Sequence, residues 1–446
     1  MISSSVELYN PREDLGGRDD PVPRLSAVMD ELPEGRHEFS LPPADRGKEA
    51  WLFLFASFCL EALTWGFPYA FGVFQDYYRT HAPFAGSSGI ATIGTCAMGI
   101  MYFDFPIVVA LQRRYPRASR YAPAAGLMIM GVALIASSFS QTVPHLIFTQ
   151  GVLYALAGSV SYCPCMIWLE EWFVQRRGLA FGIMWSGTGT GGFVIPLVLQ
   201  TLLEKYGFRT TLRTWGICLF VLAVPVFYLI KPRLPTRSAT PIKPRDLSFV
   251  FDRTFLLYQM ASIIESLGYF LPTIYLPTYA RSMLGAKPFL ATLTIILVNV
   301  STAFGMTTLG FLADRLHATT CIMISTVGAV LGTFLLWGFA NNLVTLYAFC
   351  LVYGFFAGAY PAPWPAITRQ IISDSSTRES YATGRTFDPI MILGVMTAGR
   401  GIGNLISGPL SEALLNAAQK HVSRTWGWRI RGCYRFHRFD GDDWGC

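Results

Sequence analysis

Long apolar runs recur along this chain and constrain its fold more than any other feature. A helix that crosses a bilayer needs about 20 mainly apolar residues. Only 14% of the residues are charged, whereas soluble domains carry roughly 25%. These observations predict an all-α polytopic membrane protein with about eleven spans. The runs are 51–74, 89–111, 121–140, 144–168, 179–202, 212–230, 255–279, 290–312, 320–340, 343–366 and 390–414.

Lys and Arg are divided unequally between the two sets of connections. If the N-terminus is cytoplasmic, its side holds 22 of them and the opposite side holds 6, with Arg213 counted in the connection before it. Such an excess marks the cytoplasmic side of a membrane protein. We therefore expect a multi-pass protein with a cytoplasmic N-terminus, in the plasma membrane, although no signal argues against the vacuole. The same bias explains the net charge of +7 without a nucleic-acid partner.

Polar stretches divide the chain into five expected segments. These are a disordered cytoplasmic tail (1–48), an N-terminal transmembrane bundle (49–230), a cytoplasmic linker (231–254), a C-terminal transmembrane bundle (255–415) and an atypical tail (416–446). The first tail lacks the apolar core of a signal peptide. The last holds no twelfth apolar run. Either the chain has eleven helices by nature, or its C-terminus has diverged from a twelve-helix plan; we favour the second explanation.

The stretch QRRGLAFGIMWSGTGTGG, residues 175–192, contains the spacing G-x-G-x-x-G at Gly187, Gly189 and Gly192. A dinucleotide-binding turn has this spacing only between a strand and a helix. Residues 144–173 predict a helix instead, so a nucleotide site is disfavoured.

The glycines of this stretch belong to a pattern of small residues at helical spacing, which indicates another role for them. They recur every four positions, at Gly178, Gly182, Ser186 and Thr190. Gly187 and Gly191 lie on an adjacent face. Such stripes let membrane helices approach closely. We therefore predict a helix-packing role for the glycines, with Arg176 and Arg177 at the cytoplasmic helix end.

Three motifs carry a resemblance to a known family. EEWFVQRRGLAFGIMWSGTGTGG resembles the junction of the fourth and fifth helices in the monocarboxylate-transporter-like branch of the major facilitator superfamily. LTWGFPYAFGVFQDYY (63–78) and GFLADRL (310–316) are further matches. GFLADRL resembles the superfamily's loop motif, which implies that Gly310, Asp314 and Arg315 lock neighbouring helix ends on the cytoplasmic side. The resemblance covers about residues 50–415 and extends to the fungal members of the branch in particular.

The resemblance implies two six-helix bundles around a central cavity, with the twelfth helix missing or diverged here. Such carriers work by alternating access, with the substrate near the bilayer midplane. The implied function is secondary active transport of small organic anions or secondary metabolites, with proton coupling left open. We expect a monomer that uses no cofactor or metal. The alternative is a non-transporting nutrient sensor or an inactive truncated carrier.

An enzyme is disfavoured because the chain contains no metalloprotease, nucleophile-elbow or phosphate-loop motif. The spacings H-E-x-x-H, G-x-S-x-G and G-x-x-x-x-G-K-[ST] do not occur, and the chain has only six histidines.

Four charged residues within the apolar runs are candidates for function, because a charge at a helix centre costs at least ~2.5–3.5 kcal/mol. Arg400 can form two hydrogen bonds to a carboxylate; its alternative role is a salt bridge with Glu265. Glu265 is itself a candidate for proton or cation binding. For Glu61 two roles stay open with equal weight: a proton site that faces the cavity, or a residue at the membrane interface. Asp104 is expected to have a structural role.

Aromatic and amide side chains complete the predicted site. The candidates are Trp65, Tyr269, Asn299 and Asn404; a buried amide in particular needs partners. One departure from the family limits the resemblance. Its proton-coupled monocarboxylate transporters carry an acidic residue and an arginine where this chain has Thr302 and Met306. Simple lactate-type proton symport is therefore in doubt.

Overall fold

The structure is a computed structural model that describes residues 42–87, 89–234, 247–379 and 387–425. Predictions for most of the N-terminal tail, the middle of the linker and the end of the C-terminal tail lie outside these residues. The described part is helical and contains no strand. Its helices of ten or more residues are α1 (Lys48–Tyr69), α2 (Phe71–Thr80), α3 (Ile90–Phe103), α4 (Phe105–Arg114), α5 (Ala122–Ser137), α6 (Tyr154–Trp172), α7 (Arg177–Leu229), α8 (Arg253–Ser282), α9 (Pro288–Ala313), α10 (Ala318–Leu331), α11 (Leu343–Phe356), α12 (Trp364–Glu379) and α13 (Pro389–Thr425).

Each predicted apolar run overlaps one or more of these helices. By length and composition, six described helical segments can cross a membrane, or seven if the bent pair α3 and α4 is one span. The exact number of eleven spans stays a prediction. The 53 residues of α7 include two predicted runs, separated at Gly207. Its φ of 74° lies in the region that favours glycine, which explains the break there.

The tenth predicted run is interrupted. The sequence indicates one helix over 343–366, but α11 ends at Phe356 and α12 begins at Trp364. The residues between them, AGAYPAP, form turns. Pro361 and Pro363 lack the N–H groups that a continuous helix would need. Hydropathy alone did not reveal this interruption, because no charged residue divides the run 343–366.

Helix α7, the last helix of the N-terminal half (α1–α7), packs against helices of that half and of the C-terminal half (α8–α13). Toward α1, it presents Gly187 and Gly191. A Cβ atom on Gly191 would lie 2.5 Å from the carbonyl oxygen of Ala62 and 3.1 Å from the Cα of Gly66. Helices so close leave no room for a side chain at this position.

Toward α9, the same helix presents Gly178 and Gly182. A Cβ on Gly182 would clash with the Met306 carbonyl and lie 3.2 Å from the Cα of Gly310. A Cβ on Gly310 would in turn lie 3.0 Å from the Cα of Gly182. The two glycine faces of α7 therefore serve different contacts: one lies within the N-terminal half, and the other joins the two halves.

Candidate functional site

A narrow cavity lies between the two halves, near the middle of their helices. It offers about 80 Å³ to the centres of water molecules, which is room for several waters. Five of the seven residues predicted to bind substrate or protons line it. They are Glu61, Trp65, Tyr269, Asn299 and Arg400.

Arg400 forms a buried ion pair with Glu265. Its Nη1 donates to Oε2 of Glu265 at 2.5 Å, and the side chains are 5% and 14% exposed. The guanidinium also lies over the ring of Tyr269, 5.0 Å from its centroid. The salt bridge that the sequence left as an alternative is thus present, while Arg400 remains part of the cavity wall. Glu265 lies behind it rather than in the wall.

Glu61 lies in the wall contributed by the N-terminal half and is only 3% exposed. Its Oε1 accepts a hydrogen bond from the hydroxyl of Thr188 at 3.1 Å. Its Oε2 is buried and has no hydrogen-bond partner in the described part of the chain. The carboxyl group therefore faces the cavity with one neutral hydroxyl as its hydrogen-bond donor.

The two predicted amides differ in position. Asn299 lines the cavity, and its Nδ2 donates to the carbonyl oxygen of Gly192 at 3.2 Å, across the two halves. Asn404 lies on the next turn of α13 after Arg400 but does not line the cavity. Its backbone carbonyl oxygen accepts from the hydroxyl of Ser407. The structure thus brings Asn299, and not Asn404, together with the other candidates.

Asp314 joins the halves at one end of the helices, which we call the Asp314 end. Its Oδ1 accepts from the backbone N–H of Gly178 at 2.7 Å, and its Oδ2 accepts from that of Leu179 at 2.8 Å. Arg369 Nη2 lies 3.4 Å from Oδ1. A carboxylate at a helix N-terminus satisfies free N–H groups and interacts favourably with the helix dipole.

The other predicted motif residues have more local contacts. Arg315 lies over the ring of Phe311, with 4.3 Å to its centroid. The Nε of Arg177 donates to the carbonyl oxygen of Phe173 at 3.3 Å, and its Nη1 lies 3.9 Å from Glu170. In the part of the chain that the structure describes, both arginines therefore contact residues close to them in the chain and do not join the two halves.

An ion pair also joins the halves at the Asp314 end, and the sequence did not reveal it. Arg113 is bidentate to Asp388, with Nε–Oδ2 at 2.9 Å and Nη2–Oδ1 at 3.1 Å. Oδ1 of Asp388 also accepts from the backbone N–H of Ile390 at 3.1 Å, which caps α13. The dipeptide Asp-Pro before an apolar run is a helix-start signal that could have identified the cap.

Asp45 binds the loop that precedes α7. Its carboxylate accepts from the backbone N–H groups of Val174, Gln175 and Arg176 at 3.0–3.1 Å. Its own N–H donates to the carbonyl oxygen of Trp172 at 2.9 Å. Partial burial raises the pKa of Asp45, but the three N–H donors and the charge of Arg176 together outweigh it and hold the pKa below its ordinary value. The sequence predicts a disordered tail over residues 1–48. The structure describes residues 42–47 immediately before α1, where Asp45 is hydrogen-bonded to the loop that precedes α7.

These features define a multi-pass membrane protein of the carrier class, with a cavity between two helical halves and contacts that close one end. The chain belongs to the Major Facilitator Superfamily, whose family model matches residues 53–408. It is therefore a transporter and not an enzyme.

Relatives agree with this membership, and a solved structure shares the fold. The chain is 28% identical to the MFS-type transporter pynF of Aspergillus niger, over 86% of this chain and 85% of that one. It is 28% identical to the aspyridones efflux protein apdF of Emericella nidulans, over 84% and 74%. It shares its fold with the proton:xylose symporter XylE, at a TM-score of 0.57 and 13% identity, over 84% of this chain and 90% of that chain.

Proposed function

We propose that this transporter exports small organic anions or related secondary metabolites by alternating access, coupled to protons. The observation that carries the proposal is Arg400, a buried cation in the wall of a cavity lined by both halves. Similarity to proteins named for efflux of aspyridones and fujikurins supports export. The plasma membrane is the proposed location, and a monomer is the proposed functional unit.

Alternating access requires contacts that form and break between the halves. The Lys and Arg distribution predicts that the Asp314 end faces the cytoplasm. The described structure then corresponds to a state that is closed on this side. Asp314 and the Arg113–Asp388 pair are the contacts we propose to break when the cavity opens inward.

Anion binding at Arg400 needs the guanidinium to exchange partners. In the described structure, Arg400 donates to Glu265. We propose that a proton on Glu265 weakens this bond and frees N–H groups for a substrate anion. Glu61 is a second proposed proton site. The family's monocarboxylate carriers have an acidic residue at the position of Thr302. Thr302 is uncharged, and its hydroxyl donates to the carbonyl oxygen of Gly354 at 3.0 Å. We therefore propose that Arg400 provides the anion site instead.

The test is proton-driven flux of candidate organic acids in proteoliposomes with four forms of the full chain. These are wild type, Arg400→Met, Glu265→Leu and the double variant. Removing one partner of a buried pair costs about 3–5 kcal/mol, whereas an apolar pair of similar volume is tolerated. Both single variants should therefore lose stability and flux. The double variant should regain its melting temperature without regaining flux.

Arg120→Gln is the matched control, because this arginine is exposed and lies outside the cavity wall. Flux in the double variant at the wild-type rate would show that the ion pair is structural only. Absence of flux for every acid in the wild type, with folded protein present, would overturn the transport assignment for this substrate class.

A further inference from the structure

Three buried polar atoms of cavity-lining side chains lack hydrogen-bond partners within the described residues. They are Nε1 of Trp65, Nε1 of Trp364 and Oε2 of Glu61. The residues are 4%, 3% and 3% exposed, so bulk water does not satisfy these atoms. Buried polar groups are nearly always paired in native structures. Their grouping around one cavity indicates groups that a bound molecule satisfies.

The two indoles belong to different halves. Trp65 lies in α1, and Trp364 is the first residue of α12. An indole N–H can only donate. A ligand with two acceptor oxygens, one toward each half, can satisfy both donors. Glu61 in the same wall can accept from a hydroxyl or N–H of the ligand.

The walls are aromatic on both sides. The ring of Trp65 lies 4.8 Å from that of Tyr102 and 5.6 Å from that of Tyr162, measured between centroids. Trp185 meets Trp364 across the halves at 6.2 Å, edge to face. Such surfaces pack well against a flat conjugated ring and less well against a flexible aliphatic chain.

The charge in the wall favours a delocalised anion. Arg400 is the one cation among the lining residues of this cavity, and Glu265 already faces it. A carboxylate concentrates its full charge on two oxygens of one carbon, beside a guanidinium that is largely compensated. A β-dicarbonyl enolate carries the same net charge over two oxygens on different carbons and over the carbon between them, so less of the charge lies near a single cation.

We propose that the cavity selects a flat cyclic enol acid of the β-dicarbonyl type, whose two oxygens accept from Trp65 and Trp364. This substrate class rests on the function proposed above and makes it specific. An aliphatic monocarboxylate of similar size and equal charge binds more weakly, because it offers neither the two separated acceptors nor the flat ring.

The test is equilibrium binding of two probes to the purified full chain, by calorimetry. Triacetic acid lactone is the cyclic enol acid, and cyclohexanecarboxylate is the aliphatic acid. We expect the wild type to bind the lactone at least tenfold more tightly. Trp65→Phe and Trp364→Phe keep an aromatic ring and remove one N–H each. Each should weaken lactone binding roughly fivefold to tenfold, and each should weaken cyclohexanecarboxylate binding by a smaller factor.

Trp215→Phe is the matched control. Nε1 of Trp215 is also buried without a partner in the described residues, but Trp215 does not line the cavity. Its replacement should leave lactone affinity unchanged. Unchanged lactone affinity in both cavity variants would overturn the proposal. So would equal affinity of the wild type for the two probes, a comparison that needs no variant to fold.

Flux in proteoliposomes, measured separately, distinguishes this proposal from the proposed function. Flux of organic acids without preference for the lactone would retain transport and overturn the ring selectivity. Selective lactone binding that depends on both indoles, with no flux of any acid, would support the binding site and overturn the proposed transport of organic acids.

Discussion

Asp314, at the end of α9, accepts a hydrogen bond from the backbone N–H of Gly178 in the first turn of α7. The carboxylate that satisfies this helix start therefore comes from the opposite half of the protein. Separation of the halves leaves the N–H groups of Gly178 and Leu179 without this acceptor. The same contact therefore stabilises both the start of α7 and the closed state.

Replacing Asp314 should favour opening of the Asp314 end. Hydrogen bonds to charged groups contribute about 1.5–3 kcal/mol and neutral ones about 0.5–1.5, so Asp314→Asn should cost about 1–2 kcal/mol. This cost shifts the closed-to-open ratio roughly fivefold to thirtyfold. Double electron–electron resonance reports that ratio. It measures the distance between spin labels attached to cysteines that replace the exposed residues Arg117 and Thr320 in an otherwise cysteine-free chain.

Glu204→Gln is the control for this prediction, because Glu204 is exposed and accepts from Gln200 on the same helix. It should leave the distance distribution unchanged. An Asp314→Asn distribution identical to that of the wild type would mean that the contact does not hold the closed state.

The two glycine faces of α7 should respond differently to alanine. Gly182→Ala places a methyl group between the halves, where it clashes with Met306 and lies near Gly310. Overpacking costs about 1–3 kcal/mol, and separation of the halves relieves it, so the open population should rise. Gly187→Ala clashes within the N-terminal half, with the carbonyl of Phe58. It should lower the melting temperature without changing the open population.

Gly268→Ala provides the comparison, since a Cβ there meets nothing within 4 Å. It should leave both the melting temperature and the spin-label distances close to those of the wild type. If Gly182→Ala and Gly187→Ala behaved alike, the distinction between the two faces would fail.

The bonds of Asp45 should persist to acidic pH. A lowered pKa in the folded state means that the stabilisation is present above the ordinary value of 3.8 and is lost as pH falls through the folded value. Hydrogen exchange at Val174, Gln175 and Arg176, corrected for intrinsic rates, should show constant protection from about pH 7 to about pH 5. Protection should fade only below roughly pH 4.

Asp45→Asn tests the role of charge in the same experiment. The φ of Asp45 is 59°, a left-handed conformation in which asparagine is tolerated, so backbone strain is not introduced. The variant should show weaker protection of the three amides at neutral pH, with no acid transition. Full protection in Asp45→Asn would show that the carboxylate charge adds nothing.

The apolar runs and glycine spacing were sufficient to predict a helical membrane fold, because both follow from local composition. Pairing across the chain was harder. Arg113 and Asp388 are 275 positions apart, and neither residue type indicates which helix it faces. Glu265 and Arg400 were easier to associate, because opposite charges within apolar runs need compensation. Thr188, the hydrogen-bond donor to Glu61, was missed because a threonine in a membrane helix most often bonds its own backbone.

Asp388 should show two separable roles, as a partner of Arg113 and as the cap of α13. Asp388→Asn keeps an oxygen that can accept from the N–H of Ile390 but loses the ion pair. Arg113→Gln loses the same pair from the other side. Both should raise the open population to a similar extent, because each destabilises the closed state by about 1.5–3 kcal/mol relative to the open state. The double variant should have the same open population as either single variant, because all three remove one and the same interaction.

Asp388→Ala removes the cap as well, and caps contribute about 0.5–2 kcal/mol. It should therefore lower the melting temperature below that of Asp388→Asn while shifting the spin-label distances between Arg117 and Thr320 by the same amount. If Asp388→Asn left those distances unchanged and Asp388→Ala lowered only the melting temperature, Asp388 would act as a cap alone. Closure at this end would then depend on Asp314, whose hydrogen bonds to the start of α7 are independent of Arg113.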